Sequence, residues 1–275
     1  MAGTIGDSAQ TEGPSRYDCD FGDIKVSALD AGELTNLMRA RLRSRQKLLI
    51  TFINPDYARR AFQDDRLRSW INGFDLVLVD GNGVRWMTPL FGFRVPERLD
   101  TDGVAPRLLS ELAAAEARVF LFGCAPGVAE DAATQLTAAY PSLDLAGVEH
   151  GYWDVERGHP GRFDPADNDR IVGRINSSGA DFVLVSLPTP LQQRWVIENK
   201  EAIAAPVIMT GGSFLDHVAD NERWPESWYP EWANRYSLNW LYRLKREPGR
   251  LWRRYTLEMV HFAALALQAR WNRSR

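Results

Sequence analysis

Residues 75–83 read Asp-Leu-Val-Leu-Val-Asp-Gly-Asn-Gly: four apolar residues run straight into a carboxylate and a glycine. An apolar run of this length, bounded by turn residues, fits a strand buried on both faces, as in a parallel sheet covered by helices on each side. Gly81 supplies the backbone freedom of a tight turn or lets a partner approach closely. In open parallel α/β sheets, ligands sit just beyond the carboxyl ends of the strands. Asp80 is therefore placed either to do chemistry or to cap the helix that follows.

Working outward, the same rhythm recurs. Strands are expected near Lys47–Phe52, Leu76–Val79, Val119–Phe122, Leu143–Ala146, Phe182–Ser186 and Val207–Thr210. Helical stretches separate them at Ala31–Ser44, Tyr57–Asn72, Gly103–Glu116, Val128–Tyr140, Asp167–Ser177 and Pro190–Ile203. Alternating strands and helices predict a Rossmann-like, mostly parallel sheet flanked by helices. Several of these strands end on glycine or a small polar residue: Asp80-Gly81, Gly123, Gly147, Ser186 and Gly211-Gly212. A crevice lined by such ends is the expected site.

With 275 residues, 45% apolar and 25% charged, the chain has room for one large α/β domain, or for one domain with an appendage. Its two cysteines, Cys19 and Cys124, stand apart from each other and from any CxxC pair, so neither a disulfide framework nor a structural zinc site is expected, and a reducing cytoplasm is the simplest setting. Residues 1–20 lack the basic start and apolar stretch of a signal peptide and read as a flexible polar lead. No apolar run is long enough to span a bilayer.

The net charge of −3 hides an asymmetry. Residues 240–275 carry nine Lys/Arg against Glu247 and Glu258, a balance of +7 that leaves −10 on the preceding 239 residues. Such a basic end suits nucleic acid, anionic lipid or a phosphorylated ligand. This region is dense in tryptophan, and Pro248-Gly249 marks the expected start of a last helix on which Leu251, Tyr255, Met259 and Phe262 form one stripe. Packing on its own domain and lying in a membrane interface both fit that stripe.

The shorter motifs are weaker. Phe122–Gly127, Phe-Gly-Cys-Ala-Pro-Gly, has only G-x-x-x-G spacing, which argues against a dinucleotide fingerprint but leaves an anion at the start of the next helix open. Asp100-Thr-Asp102 and Asp167-Asn-Asp169 imitate paired metal-holding acids, yet neither follows a clear strand, and no metal is expected. His150 is either an acid/base group or a satisfied turn histidine.

Taken in order, a longer set of segments is far more specific: FINPD (52–56), DLVLVDGNGV (75–84), PERLDTDG (96–103), VFLFGCAPGVAEDAA (119–133), YPSLDLAGVEHGYW (140–153), INSSGADFVLVSLPTPLQQRW (175–195), GGSFLD (211–216) and LNWLYRLKREPGRLWRRY (238–255). With these segments the chain resembles the WecG/TagA/CpsF glycosyltransferases (glycosyltransferase family 26) from about Phe21 to Tyr255. The resemblance implies an inverting, metal-independent transfer, with no cofactor, from a UDP-sugar to a hydroxyl of a sugar on polyprenyl diphosphate. The donor would be UDP-glucose, UDP-N-acetylmannosamine or a UDP-uronic acid, and the product would feed cell-surface polysaccharide synthesis. It further implies an enzyme peripheral on the inner face of the cell membrane. An anionic surface, not nucleic acid, would meet its basic end, and a homo-oligomer is allowed. The domain plan is a lead (1–20), an α/β catalytic domain (21–235) and a membrane-proximal helical appendage (236–275).

By position in those motifs, Asp80 stands in the place of the family's proposed general base. Arg243, Arg250 and Arg253 stand where its phosphate-binding arginines occur. Asn54, Arg98, Asp102, Gly123, His150, Gln192, Trp195, Gly211 and Gly212 are expected to line the substrate cleft. The chain departs from the family pattern at Leu191 and Gln193, where lysine and glutamate are frequent, at Ser186 and Pro188, where glycines are, and at Asn239 and Phe52. Loss of a charged pair together suggests a compensated change in local contacts. Those departures motivate one alternative, a catalytically degenerate homologue that scaffolds a polysaccharide-synthesis complex. Glycine-ended strands motivate another, an NAD-dependent sugar-nucleotide enzyme.

Overall fold

The computed structural model describes residues 14–151, 165–221, 224, 239–246, 249, 252 and 256–272. In chain order its elements are β1 (Asp18–Asp20), β2 (Lys25–Ser27), α1 (Ala31–Ser44), β3 (Leu48–Ile53), α2 (Pro55–Ala61), α3 (Asp65–Asn72), β4 (Leu76–Val79), α4 (Asn82–Met87), α5 (Thr101–Ala114), β5 (Arg118–Gly123), α6 (Val128–Ala139), β6 (Asp144–Glu149), α7 (Pro165–Ser178), β7 (Phe182–Ser186), α8 (Leu191–Asn199), β8 (Val207–Thr210), α9 (Phe214–Ala219), α10 (Asn239–Arg246) and α11 (Leu257–Asn272). Six strands form one sheet in the order β4-β3-β8-β7-β5-β6, and every neighbouring pair is parallel. This is the α/β fold expected from the sequence.

The sheet is buried on both faces because its strands are apolar at nearly every position. Leu76 and Leu78 of β4 join one core cluster and Val77 and Val79 the other. The first cluster receives α1, α5, α6 and α9, through Leu34, Leu108, Leu136 and Leu215 among others. The second receives α2, α3, α7, α8 and α11, through Tyr57, Ile71, Ile175, Val196 and Phe262. Side chains alternate across a strand, so one apolar run serves both layers.

Two differences from the sequence reading have local causes, and one alternative left open there is decided for one helix face. The stretch Tyr57–Asn72 is two helices, α2 and α3, because Asp64 turns its carboxylate onto the backbone N–H of Arg66 and Leu67 and starts a new helix. The polar lead ends sooner than residue 20: Pro14–Tyr17 form a 3-10 turn, and β1 pairs antiparallel with β2 to carry Phe21 into the core. Of the tail stripe, Leu251 and Tyr255 lie outside the described residues, while Phe262 is buried and Met259 packs against the core. Phe262 sits by Phe21 and Phe62, with ring centroids 6.3 and 6.5 Å away. That face of α11 packs on its own domain.

The opposite face of α11 does not. Positions 257, 260, 264, 267 and 271 recur at three- and four-residue spacing and line a second stripe, on which Leu257, Val260, Leu267 and Trp271 are exposed. Among the described residues no helix is long and apolar enough to cross a membrane.

Candidate active site

The strand order fixes where a crevice forms. From β3 the chain passes to α2 on one face; from the neighbouring β8 it passes to α9 on the other. Connections that leave adjacent strand ends for opposite faces open a crevice at the carboxyl edge. Along that edge stand Asn54, Asp80, Gly123, His150, Ser186, Gly211 and Gly212, each at or just past the end of a strand.

Asp80 continues β4: its backbone N–H donates to Ile53 O at 2.9 Å. The cap of α4 is Gly81, with no side-chain cap hydrogen bond, so the half-buried Asp80 is not the residue that starts that helix. Next to it, on the end of β3, Asn54 does cap: its Oδ1 accepts from Tyr57 N at 2.9 Å.

Asp102 lies in the first turn of α5, and α9 brings His217 against it. His217 Nδ1 is 3.0 and 3.2 Å from the two carboxylate oxygens of Asp102, and its Nε2 is 3.2 Å from Ser213 Oγ. Arg98 pairs with Asp100 at 2.8 Å, and Asp100 accepts from Gly103 N at 2.8 Å to cap α5. Burial holds the Asp100 carboxyl above the usual range, against the pull of the Arg98 guanidinium. Gln192, in the first turn of α8 and buried, accepts at Oε1 from Gly212 N (2.9 Å) and donates to Thr189 Oγ1 (3.2 Å). It ties the end of β8 to α8.

Other expected site residues have structural work. Gly123 lets β5 approach β7: a Cβ there would stand 2.1 Å from Ser186 O. Trp195 is a core residue, its ring 4.7 Å from that of Phe122 and its indole N–H bonded to Asn168 Oδ1 at 2.9 Å. His150 follows the buried Glu149 on β6, the edge strand opposite β4. Five strand spacings separate the two edges, roughly 24 Å, so the fold does not bring His150 to Asp80. Gly211 packs against Ser186 and Leu184, whereas none of the described residues approaches the Cβ position of Gly212. Arg243 lies on α10 with its side chain outside the described residues, as Arg250 and Arg253 are altogether.

The lesser motifs also resolve. The start of α6, offered for an anion, carries Glu130, whose carboxylate accepts from Gly127 N at 3.1 Å, and Asp131 beside it. Those acids already meet the helix dipole and would repel a phosphate. Asp167 approaches Arg170 at 3.7 Å, and Asn168 bonds Trp195 and Asn199. Among the described residues no three metal-ligating side chains converge. Two open grooves of about 610 and 590 Å³ flank the Arg39–Glu111 ion pair on α1 and α5, and neither borders a residue singled out from the sequence.

Sequence reading missed two sets of residues. Ser213 lies inside the quoted motif GGSFLD, whereas His217, four residues on, stands just past its end. Below the crevice, Thr51 and Thr210 share a hydrogen bond (2.9 Å), and Gln193 Nε2 donates to Thr51 Oγ1 (3.2 Å), all three buried. A neutral amide thus fills the place where the family pattern has an acid.

An all-parallel six-stranded sheet with helices on both faces and polar residues along its carboxyl edge defines the molecule as an α/β protein whose expected ligand crevice lies at that edge. The chain belongs to the glycosyl transferase WecG/TagA/CpsF family, whose model matches residues 19–275, and it is a glycosyltransferase. Among curated relatives, the N-acetylglucosaminyldiphosphoundecaprenol N-acetyl-beta-D-mannosaminyltransferase of Bacillus subtilis is 27% identical over 226 residues, 82% of this chain and 81% of the relative. The enzyme of that name from Bacillus spizizenii is 25% identical, with 86% and 83% covered. The one from Staphylococcus aureus is 25% identical over 200 residues, with 73% and 72% covered.

Proposed function

We propose that this chain transfers a hexose-type sugar from a UDP-sugar to the hydroxyl of a sugar on polyprenyl diphosphate, with inversion and without a metal, in cell-surface polysaccharide synthesis. The observation that carries the reading is Asp80: a carboxylate on a buried strand end, at the carboxyl edge, with the cap of the next helix left to Gly81. Asp80 takes the proton of the acceptor hydroxyl as that oxygen attacks the anomeric carbon. The bond from that carbon to the diphosphate breaks, and UDP leaves with the electron pair. Arg243, Arg250 and Arg253 offset the charge on the diphosphate. Support for working without a metal comes from the donor set: Asp100 is tied to Arg98, and Asp102 to His217.

The relatives' names make N-acetylmannosamine the first sugar to try on the UDP donor and N-acetylglucosaminyldiphosphoundecaprenol the first acceptor. We place the enzyme on the inner face of the cell membrane, with residues 236–275 as the contact. The exposed stripe of α11 supports this, and so do Trp86 and Leu90, exposed on α4 and the 3-10 turn after it. Arg270 Nε donates to Leu90 O at 2.8 Å, which joins the two exposed groups beside the helix that starts two residues after Asp80. Basic residues near an anionic surface add on the order of 1 kcal/mol each.

The test is direct. Purified protein is given UDP-N-acetylmannosamine, UDP-glucose or UDP-glucuronate with an undecaprenyl-diphosphate-linked N-acetylglucosamine, and both UDP release and the lipid product are measured. Equal amounts of UDP and disaccharide-lipid with one donor are expected. No product with any of the three overturns the reading.

A further inference from the structure

Ser213 occupies the position that starts α9, and serine there normally caps its helix. Here it makes no cap hydrogen bond. Its hydroxyl is instead 3.2 Å from Nε2 of His217, one turn further along the same helix. The other ring nitrogen faces both carboxylate oxygens of Asp102. A carboxylate only accepts, so Nδ1 carries the proton, and in the neutral imidazole Nε2 is then the acceptor turned towards Ser213. The His217 side chain is 12% exposed and that of Asp102 27%, while Ser213 is exposed. The chain of bonds therefore runs from the helix layer out to a hydroxyl at the surface.

That surface lies at the carboxyl edge, where the strand order puts the crevice. Gly212, immediately before Ser213, has none of the described residues within 4 Å of the place a Cβ would take, and its N–H is fixed by Gln192. α9 and α5 lie on the sheet face that carries Leu76 and Leu78, and by strand alternation Asp80 continues that face. Asp80 and the Ser213 hydroxyl thus approach the same crevice from β4 and from α9.

We propose that Ser213 is a contact to the diphosphate of the nucleotide donor, and that His217 and Asp102 are positioning residues that hold its hydroxyl. This rests on the transfer reading above. When a phosphoryl oxygen arrives, the Ser213 hydrogen turns from Nε2 to the ligand, and the imidazole keeps the oxygen in place. Asp102, expected from the sequence to touch substrate, acts at one remove, through the imidazole. The bland alternative is a strap that ties α9 to α5 and touches no ligand. The two differ in what they do to binding.

UDP and uridine are titrated calorimetrically into the full chain and into Ser213→Ala, Ser213→Thr, His217→Gln and the Ser213→Ala/His217→Gln double variant, with Tm recorded for each. A hydrogen bond to a charged phosphate predicts that Ser213→Ala weakens UDP about tenfold and leaves uridine unchanged. Ser213→Thr, which keeps the hydroxyl, should stay near the parent. His217→Gln should weaken UDP less than Ser213→Ala, and the double variant no more than Ser213→Ala alone, because the imidazole acts only through the serine. Unchanged UDP affinity in Ser213→Ala overturns the proposal. So does a parallel loss of UDP and uridine affinity with a lowered Tm, the signature of a strap. A parent chain that binds neither compound overturns the transfer reading itself, and this inference with it.

Discussion

β3 and β4 lie side by side in register, Ile53 opposite Val79, and each ends one residue later on a polar side chain, Asn54 and Asp80. Both are followed at once by a helix. Asn54 starts its helix, taking the Tyr57 N–H, and Pro55 follows at a position where a missing N–H costs nothing. Asp80 does not; the chain inserts Gly81 with φ +83° and ψ 163°, and α4 begins at Asn82 without a side-chain cap. That backbone region is essentially restricted to glycine. The difference shows a polar strand end kept out of helix construction at a local cost, and the sequence alone makes the two positions look alike.

The largest effect separates the pair. Asp80→Asn keeps the shape and removes the basicity, so transfer should fall by about 10²–10⁴-fold, while Tm stays within a degree or two of the parent because no cap is lost. Rates with the lipid-linked acceptor, alongside a thermal melt, check both halves. Turnover within severalfold of the parent removes Asp80 from the chemistry.

How much was legible beforehand follows from range. The run 75–83 exposed a buried strand and a carboxylate at its end because both are local facts, and β4, β7 and β8 have the bounds read from their apolar runs. Asp64 could not be weighed against the helical period continuing through it, so one helix was expected where there are two. The β1–β2 hairpin has three-residue strands, too short to show alternation. His217 gains its meaning from Asp102, 115 residues away in sequence, and no spacing rule joins them. Trp195 was expected in the cleft because its motif is, yet the ring sits on the buried side of α8 against Phe122.

Next in size is the glycine that makes the difference possible. Gly81→Ala meets no neighbour among the described residues, since none of them lies within 4 Å of the added Cβ. Its cost is therefore backbone strain alone, about 1–3 kcal/mol, and the chain relieves it by moving Asp80. The unfolding free energy from denaturant melts should fall by that amount, and transfer should drop further than the stability loss explains. A variant with parental stability and parental rate would mean that the turn after β4 places nothing.

The smallest effect comes from the other strand end, where it should reverse in kind. Asn54→Ala removes the cap of α2 and should lower stability by about 1 kcal/mol, with little change in rate beyond any amide contact to substrate. Asn54→Asp restores a capping oxygen for Tyr57 N–H but sets a second carboxylate beside Asp80, one strand spacing away. Like charges at that distance raise the pKa of the pair, and a base must be ionised to act, so the acid limb of the pH–rate profile should move to higher pH while the melt stays near the parent. Stability and pH profile, measured on the two variants together, distinguish a residue that builds a helix from the neighbour that the same fold leaves for chemistry. If Asn54→Asp leaves the acid limb where it was, the two side chains do not share a crevice, and the register of β3 with β4 is not what sets the site.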